Sequence, residues 1–440
     1  MNVSAFIAKR VTAAGERSFS RLIIRIAITA VAISLTVMIV ATAMMSGFKQ
    51  EISSKIFGFL GHVHITDQSA SYSIMDNMNY PINRDQGFYP HLDTIGRRDV
   101  TWYEFKNGRE IKHQGMTKGG IRHIQVFAAM PTVMRSEDSI GVEMEGLMLK
   151  GIGSDFDWAS FDEYLIEGEP LVVSPDSISR QIVVSAETAR RMRLRLGDLV
   201  ELNFLRPDGP SLVRVLKIVG IYKTGLAEYD RQYAIIDIQQ IQRLLSWTTN
   251  QVGGFEVFID EVDDVDAFAQ YLHFEEGILP TNLYAEAVTQ RESILFNWLD
   301  IQDYNQVIIL TLMIIVAIIN MVTVLLILIL ERTQMVGTLK ALGQSNWGIQ
   351  RIFLYYAGYI MLFGLLWGNI IGLGLCWLQD TTGMIRLDEA SYYLAVAPIA
   401  INWWTVLALN VGTLIITLVV LILPSLWIGR IDAVKALRFR

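Results

Sequence analysis

Residues with the types and spacing that catalysis needs are scarce in this chain. No Gly-Lys dipeptide occurs, so a Walker phosphate loop is absent, and no glycine-rich dinucleotide fingerprint follows a predicted strand. His62 and His64 alternate along a predicted strand and could ligate a metal. No third ligand lies at a suitable spacing, which favours an ordinary polar strand face. The sequence therefore predicts no catalytic residue, no metal site and no resident cofactor.

Two charged clusters are the remaining candidates for chemistry. The acidic one lacks the Asp-x-Asp-x-Asp-Gly order and closing Glu of a calcium loop, so we expect a solvated loop. It consists of Asp155, Asp157, Asp162, Glu163, Glu167 and Glu169. The basic one is typical of a solvated helix end, with a partner contact as the alternative. It consists of Arg190, Arg191, Arg193 and Arg195.

The elements that surround these residues are dominated by four apolar segments. Of the 440 residues, 52% are hydrophobic and the mean hydropathy is +0.35, which exceeds the average for soluble proteins. Each segment has 24 or more residues and almost no charge, whereas about 20 helical residues cross a hydrocarbon core. The segments are 22–45, 307–330, 352–378 and 403–428. We therefore expect an α-helical membrane protein with four transmembrane helices.

The first segment also resembles a secretory signal, because Ala41, Thr42 and Ala43 suit a signal-peptidase site. Its apolar run is much longer than the roughly 7 to 15 residues of a signal peptide, and 21 residues precede it. We expect a retained anchor, with Arg25 close enough to its start to reach the headgroups.

Charges beside the segments predict their orientation, because cytoplasmic loops are enriched in Lys and Arg. Segments 1–21, 331–351 and 429–440 carry net charges of +3, +2 and +3, whereas 379–402 carries −2. Both termini are therefore predicted to be cytoplasmic, and 379–402 is a short periplasmic loop. The 261 residues at 46–306 then form an extracytoplasmic domain inserted between the first and second transmembrane helices.

The inserted domain is predicted to have mixed α/β structure. Its 24 basic and 38 acidic residues give a net charge of −14, which argues against a nucleic-acid partner. The only cysteine, Cys376, lies in the third apolar segment, so an intrachain disulfide is excluded. Strands are predicted at 181–185, 199–205, 212–222, 232–236 and 254–260, helices at 186–193 and 238–245, a hairpin tip at 207–210 and a covering loop at 67–98. Ser185 and Asp237 are the expected helix N-caps, the latter in a capping box with Gln240.

The connection at 331–351 contains a short amphipathic pattern. Met335, Leu339 and Leu342 are expected to line one face of a helix that ends at Gly343, and Ser345 to cap the next helix. A helix of this kind suits a groove on a separate ATPase. A plain interfacial linker explains the periodicity equally well.

The residues of this connection resemble the coupling segment of the FtsX-like permeases. These are the membrane subunits of ABC systems that include MacB, FtsX and the lipoprotein-releasing LolC/LolE proteins. The resemblance rests on Glu331, Arg332 and Thr333, on Gly337, and on 339–343 (Leu-Lys-Ala-Leu-Gly). The motifs at 45–48, 164–168, 183–189, 196–200 and 392–398 are similar to the LolC/LolE subgroup, so the resemblance covers most of the chain.

The resemblance implies that this chain is a non-catalytic permease subunit in a bacterial inner membrane. Two permease chains and two ATPase chains would extract acylated lipoproteins from the outer leaflet and release them to a periplasmic carrier, with ATP and Mg²⁺ bound by the ATPase. The residues implied in ATPase coupling are Glu331, Arg332, Met335, Gly337, Leu339, Lys340, Leu342 and Gly343. The family usually has an acidic residue at the position of Met335. In this chain, contact with the ATPase would therefore depend more on Glu331 and Lys340.

An acyl-chain cavity between the first two transmembrane helices is also implied. Its apolar lining would come from Ile39, Val40, Ala43, Met44, Ile308, Ile309, Leu312 and Met313. The rival function is that of an FtsX-type or MacB-type transmission protein, which drives a periplasmic hydrolase or an efflux partner. A membrane-anchored receptor without an ATPase explains the coupling segment less well. Whether the chain pairs with itself or with a paralogue, and whether it docks the carrier, stays open.

Small and polar residues in the apolar segments predict helix contacts. Gly364, Gly368 and Gly372 recur every four residues and are expected to pack against the fourth transmembrane helix. Asn320, Asn369 and Asn410 are isolated amides that should bond to neighbouring helices. Pro424 is expected to kink the fourth helix near its inner end.

Overall fold

The computed structural model describes residues 18–70, 78–106, 109–138, 141–204, 212–275, 277–388, 392 and 394–426. Residues 1–17 of the predicted amphipathic N-terminal segment 1–21, the hairpin tip at 207–210 and the tail at 429–440 lie outside the described residues. The chain divides into two compact units. One consists of Met1–Glu51, Trp298–Arg386 and Val396–Arg440, and the other of Ile52–Asn297 and Leu387–Ala395.

Four helices are long and apolar enough to cross a membrane. They are α1 (Ser18–Leu60), α8 (Ser293–Glu331), α10 (Asn346–Thr382) and α11 (Trp403–Ser425), with α9 (Thr333–Ala341) between α8 and α10. α1 and α8 have 43 and 39 residues, so both continue well beyond the predicted apolar segments. Pro424 lies inside α11, one residue before its last residue, Ser425, so any kink would fall in the final turn of the helix.

Apolar side chains of these helices form a common cluster, which we call the membrane cluster. Leu35 and Met38 of α1, Met321 of α8, Met361 of α10 and Leu421 of α11 are fully buried in it. Burial of this kind in one chain shows that all four helices pack together rather than standing separately in lipid.

The second unit has mixed α/β structure, as predicted. Its strands are β1 (Val63–Asp67), β2 (Ile82–Asn83), β3 (Asp99–Lys106), β4 (Arg109–Met116), β5 (Ile121–Asp138), β6 (Gly141–Ile152), β7 (Leu165–Gly168), β8 (Gln181–Ser185), β9 (Leu199–Phe204), β10 (Leu212–Tyr222), β11 (Tyr233–Asp237), β12 (Gln251–Val252), β13 (Gly254–Ile259) and β14 (Leu283–Ala287). The short helices are α2 (Trp158–Phe161), α3 (Ala186–Arg191), α4 (Ala227–Gln232), α5 (Ile238–Leu244), α6 (Val265–Phe274) and α7 (Val288–Arg291).

Strand pairing closes six of these strands into a ring. The order is β5-β6-β11-β8-β10-β9, and β9 pairs back onto β5 through Thr132↔Phe204 to Arg135↔Glu201. The pairs β6–β11 and β8–β10 are parallel, and the other pairs of the ring are antiparallel. β13, β1 and β14 extend the sheet from β5, and β7 extends it from β10. Closure protects most of the ring from edge-to-edge pairing.

Local sequence signals explain several element boundaries. The Ser185 side chain accepts a hydrogen bond from the Thr188 amide at the start of α3, and Asp237 accepts one from Gln239 at the start of α5, as predicted. The capping box with Gln240 is wrong, because its side-chain amide donates instead to the Ser179 carbonyl at 2.8 Å. Within 67–98 the described part packs over the sheet, with the Phe88 and Phe255 rings 5.1 Å apart.

Candidate functional site

The segment between α8 and α10 forms the short helix that the sequence predicts. After α9, Gly343 adopts a positive φ of 87°, and its amide donates to the Lys340 carbonyl at 3.0 Å. Ser345 then accepts a hydrogen bond from the Gly348 amide at 3.2 Å and caps α10. The tight turn fixes how α9 leads into α10.

The packed face of α9 differs from the predicted stripe. Val336 is fully buried in the membrane cluster and Gly337 is buried beside it, while Met335 and Leu339 pack at the margin. Leu342 follows the last residue of the helix, Ala341, and is 79% exposed. The buried positions of α9 are thus Val336 and Gly337, while the predicted face through Met335, Leu339 and Leu342 keeps accessible surface.

Three exposed apolar side chains lie at the ends of α8, α9 and α10. We call Leu330, Leu342 and Trp347 the connection patch, with exposed fractions of 71%, 79% and 48%. Glu331 is exposed beside it and Arg332 and Lys340 are half-buried. The Arg351 guanidinium lies 5.2 Å from the centre of the Trp347 ring. Sequence reasoning missed Leu330 and Trp347, although a Trp in a predicted cytoplasmic connection is a usable signal.

The eight predicted cavity residues separate into two groups. Ile39 lies against Gly372 of α10, and the Ala43 carbonyl accepts a hydrogen bond from the Ala400 amide at 3.0 Å, so the chain itself buries both. The other six keep accessible surface. Ile308 and Leu312 are 62% and 52% exposed. Val40, Met44, Ile309 and Met313 are half-buried.

The three glycines of α10 pack against α1, so the predicted partner, the fourth helix, is wrong. A Cβ added at Gly364 would lie 2.7 Å from Val31, and one at Gly368 would lie 2.9 Å from the Ala32 carbonyl oxygen. Gly372 faces Thr36 and Ile39 in the same way. The four-residue spacing gives a flat strip on α10, and spacing alone does not indicate which helix covers it.

Amides join α10 to α11 instead. The Asn369 amide nitrogen donates to the Asn410 side-chain oxygen at 2.7 Å, and the Asn410 nitrogen donates back at 3.0 Å. Each nitrogen also donates to a carbonyl of its own helix. The bonding predicted for these two amides is confirmed.

A buried polar cluster in the sheet accounts for one of the predicted histidines. The Lys150 ammonium bonds to Glu256 at 2.7 Å and to the Phe59 carbonyl at 2.5 Å, while the Gln125 amide donates to Glu256 at 2.7 Å. His64 Nε2 lies 2.6 Å from the Leu60 carbonyl. All four residues are at most 4% exposed, and burial raises the pKa of Glu256 against the opposing effect of Lys150. Lys150 and His64 thereby satisfy carbonyls at the C-terminal end of α1.

Several of the other side chains singled out in the sequence have structural partners. His62 stacks on Phe57 with ring centres 4.6 Å apart. Asp155 accepts hydrogen bonds from the Tyr89 hydroxyl and the Val126 amide, and Asp157 caps α2. A solvated loop is therefore the wrong description of Asp155 and Asp157. In the basic cluster, Arg191 pairs with Glu145 across to β6.

Comparison with known proteins places this architecture in a family. Residues 26–273 match the model of the MacB-like periplasmic core domain, which covers more than half of the chain. Residues 307–433 match the model of the FtsX-like permease C-terminal domain. The chain belongs to the FtsX-like permease family with a MacB-like periplasmic core. This agrees with the resemblance carried by Glu331, Gly337 and Gly343.

Full-length relatives of this FtsX-like permease carry lipoprotein-release names. A lipoprotein-releasing system transmembrane protein LolC from Neisseria meningitidis serogroup B is 23% identical, covering 100% of this chain and 99% of the relative. LolC from Xylella fastidiosa is 23% identical over 94% and 92% of the two chains. LolE from Haemophilus influenzae is 20% identical over 97% and 96%. The similarity therefore extends over both units of the chain.

Proposed function

We propose that this chain is the membrane subunit of an ABC transporter that extracts lipoproteins from the outer leaflet of the bacterial inner membrane and releases them to a periplasmic carrier. The observation that carries the proposal is the full-length similarity to LolC and LolE proteins, whose names state lipoprotein release. Four apolar helices and a periplasmic core domain of the MacB-like family supply the parts that such a subunit needs.

An uncovered apolar surface on α1 and α8 suits the acyl chains. Val40 and Met44 on α1 and Ile308 and Leu312 on α8 keep accessible surface in this chain. Each CH₂ group that leaves the bilayer must find comparable apolar surroundings, at about 0.8 kcal/mol per group. We assign the acyl-chain site to this surface, with Ile309 and Met313 at its margin. Ile39 and Ala43 act instead in helix packing.

The connection patch is the proposed contact with the ATPase. Exposed Leu342 and Trp347 offer apolar anchors for a groove, and Glu331 and Lys340 provide charges at its rim. Burial of Val336 in the membrane cluster, with Gly337 buried beside it, ties α9 to the long helices. A displacement of α9 by the ATPase would therefore move the long helices directly. The partner ATPase would bind ATP and Mg²⁺.

The proposed topology keeps the boundaries expected from the sequence. Both termini and the connection at 331–351 face the cytoplasm, while 46–306 and 379–402 face the periplasm. The apolar segments 22–45, 307–330, 352–378 and 403–428 lie in the membrane. A second permease chain, identical or paralogous, completes the transporter.

The test of this function places a charge on the acyl-chain surface. Met44→Asp and Leu312→Asp should each reduce transfer of labelled lipoprotein to a soluble carrier at least tenfold, because a carboxylate replaces apolar surface that the acyl chains contact. Basal ATP hydrolysis and assembly with the ATPase should persist. Transfer is measured with the purified complex in proteoliposomes.

The matched control is Leu375→Asp on α10, where the native leucine is 46% exposed, close to the 52% of Leu312. It carries the same insertion penalty, about 2.5 to 3.5 kcal/mol at a helix centre, without touching the proposed surface. If both surface variants assemble and still transfer lipoprotein at the wild-type rate, the proposal of lipoprotein release fails. The rival function, transmission to a periplasmic partner, would then take its place.

A further inference from the structure

A buried glutamine folds the loop between α10 and α11 back onto the end of α10. The Gln379 side-chain nitrogen donates to the Ile385 and Ala397 carbonyls at 3.2 and 3.1 Å, and its oxygen accepts from the Ile385 amide at 2.8 Å. The Ala397 amide also donates to the Ile385 carbonyl at 3.0 Å. The stretch that leaves α10, 383–386, and the stretch that leads into α11, 396–402, are therefore held side by side.

The second of these stretches is also fixed to α1. The Ala400 amide donates to the Ala43 carbonyl at 3.0 Å. A Cβ at Gly47 would lie 2.7 Å from the Pro398 carbonyl oxygen, so the loop approaches α1 this closely only because Gly47 has no side chain. The loop is therefore held at one level along α1, beside Ala43 and Gly47.

Large apolar side chains are exposed on this loop and at the start of α11. Met384, Trp403 and Trp404 are 73%, 68% and 79% exposed. Ile385 and Val396 are exposed as well. We call these five side chains the outer apolar surface. Contact with water would be unfavourable for so much apolar area in so short a segment.

A phospholipid surface fits these side chains and the charges beside them. Val411 and Ile415 follow Trp404 by about two and three turns of α11 and are exposed on the same face, so the surface continues a lipid-facing helix face. Trp favours the boundary between hydrocarbon and headgroups, because its ring is apolar and its N–H needs a polar partner. Asp380 and Arg386 are exposed in the same region, and their charges suit headgroups rather than hydrocarbon.

We propose that the outer apolar surface lies in the headgroup layer of the outer leaflet and binds phospholipid there. The proposal rests on the proposed topology, in which 379–402 is periplasmic, and not on lipoprotein release. Because the loop is bonded to Ala43, its depth in the bilayer also sets the depth of α1. Val40, about one turn further into the membrane, is thereby held at the level of the outer-leaflet acyl chains.

The test reads the surroundings of two positions with a fluorescent probe. Met384→Cys and Trp404→Cys are made separately in a Cys376→Ala background and labelled with a nitrobenzoxadiazole maleimide. The full complex is then reconstituted in vesicles of phosphatidylethanolamine and phosphatidylglycerol. Both probes should emit at shorter wavelength than in water, and phospholipids that carry a nitroxide near the headgroup should at least halve the emission. Iodide in the aqueous phase should quench both probes weakly.

The control is Ser69→Cys with the same label, at an exposed position of the α/β unit. Its emission should match that of the probe in water, with quenching by iodide and none by the lipid nitroxide. A probe at position 384 or 404 that behaves like this control would overturn the proposal. Protection of either probe from both quenchers would overturn it as well, because protein, such as a second permease chain, would then cover the surface.

The leaflet is tested in intact spheroplasts. Dithionite, which does not cross the membrane, should bleach both probes there. Bleaching only after permeabilisation would overturn the assignment to the outer leaflet together with the proposed topology. None of these readouts involves a lipoprotein, so a complex that transfers no lipoprotein would refute the proposed function and leave the lipid contact standing.

Discussion

Lys150 makes three contacts in the buried polar cluster. Its ammonium serves the Glu256 carboxylate, the Phe59 carbonyl and the face of the Phe59 ring, 5.1 Å away. A buried ion pair gives little net stability compared with a well-packed apolar pair, but a single partner left behind is costly. The stability of the C-terminal end of α1 is therefore sensitive to the loss of either Lys150 or Glu256 alone.

Lys150→Met is expected to destabilise the protein by about 3 to 5 kcal/mol, because Glu256 is left buried without its counter-charge. Combining it with Glu256→Gln should recover most of that loss, since the remaining groups are neutral. Denaturant unfolding of the detergent-solubilised chain measures both. Equal losses in the single and double variants would contradict a charge-based cause.

His62 predicts how stability depends on pH. Burial, together with the nearby Arg122, lowers the pKa of His62 to about 3 from an ordinary value of 6.5. Below pH 6.5, the His62 imidazole therefore binds a proton in the unfolded chain but not in the folded chain. Stability from this residue is complete above pH 6.5 and falls by up to about 1.4 kcal/mol per pH unit between 6.5 and 3.

Replacing His62 by Gln should flatten the acid side of the stability profile, measured as thermal unfolding between pH 7 and pH 4. His91→Gln, at an exposed position, serves as the control and should leave the profile unchanged. An unaltered slope in the His62 variant would show that other groups cause the acid sensitivity.

Residues whose roles are local were predictable from the sequence. Ser185, Asp237 and Ser345 cap helices that begin one residue later, so the relevant bonds lie within three positions. Lys150 and Glu256 could not be paired in this way. They are over 100 residues apart, and only strand pairing brings β6 and β13 to either side of β5.

At the scale of elements, the contact between α1 and α10 depends on the absence of side chains on α10. Gly368→Ala should destabilise the protein by about 1 to 3 kcal/mol, because the new methyl group would lie 2.9 Å from the Ala32 carbonyl oxygen and from Leu35. Thermal unfolding in detergent gives the measurement.

Gly374→Ala is the matched control, since a Cβ there meets nothing within 4 Å. It removes a glycine from the same helix and should stabilise the protein by up to about 1 kcal/mol. Similar effects of the two substitutions would rule out the close helix approach as the cause.

Apolar composition predicted the four long helices but not their lengths. The predicted segment at 22–45 ends where polar residues such as Lys49 and Gln50 begin, yet α1 continues to Leu60. The extension is helical because Ile52, Ile56 and Phe57 bury one face within the α/β unit. A hydropathy pattern detects contact with lipid, whereas this face contacts protein.

For the whole molecule, the orientation in the membrane is the property most open to test. In a Cys376→Ala background, a cysteine at exposed Ser69 should react with a membrane-impermeant maleimide in intact spheroplasts. A cysteine at exposed Ser345 should react only after the membrane is permeabilised. The expectation follows from the basic residues that flank the connection at 331–351.

Labelling of Ser345 in intact spheroplasts would reverse the proposed topology. Its labelling after permeabilisation is the internal control, because it shows that the thiol itself is reactive.

The closed ring of strands was beyond prediction from one sequence. Individual strands such as 212–222 follow from runs of β-branched residues. The pairing of Arg135 with Glu201, which helps to close β5 onto β9, joins residues 66 positions apart. Only the family resemblance could have supplied that arrangement, because periodicity contains no information about which strands are neighbours.

The reciprocal hydrogen bonds between the Asn369 and Asn410 amides also constrain how α10 and α11 are inserted into the membrane. Each amide inserted alone would keep the bond from its nitrogen to its own helix but leave its side-chain oxygen without a donor in hydrocarbon, whereas together the two amides satisfy both oxygens. Only a short segment separates α10 from α11 in the chain. We therefore expect α10 to remain at the insertion machinery during synthesis until α11 emerges. The two helices would then enter the lipid together as a helical hairpin.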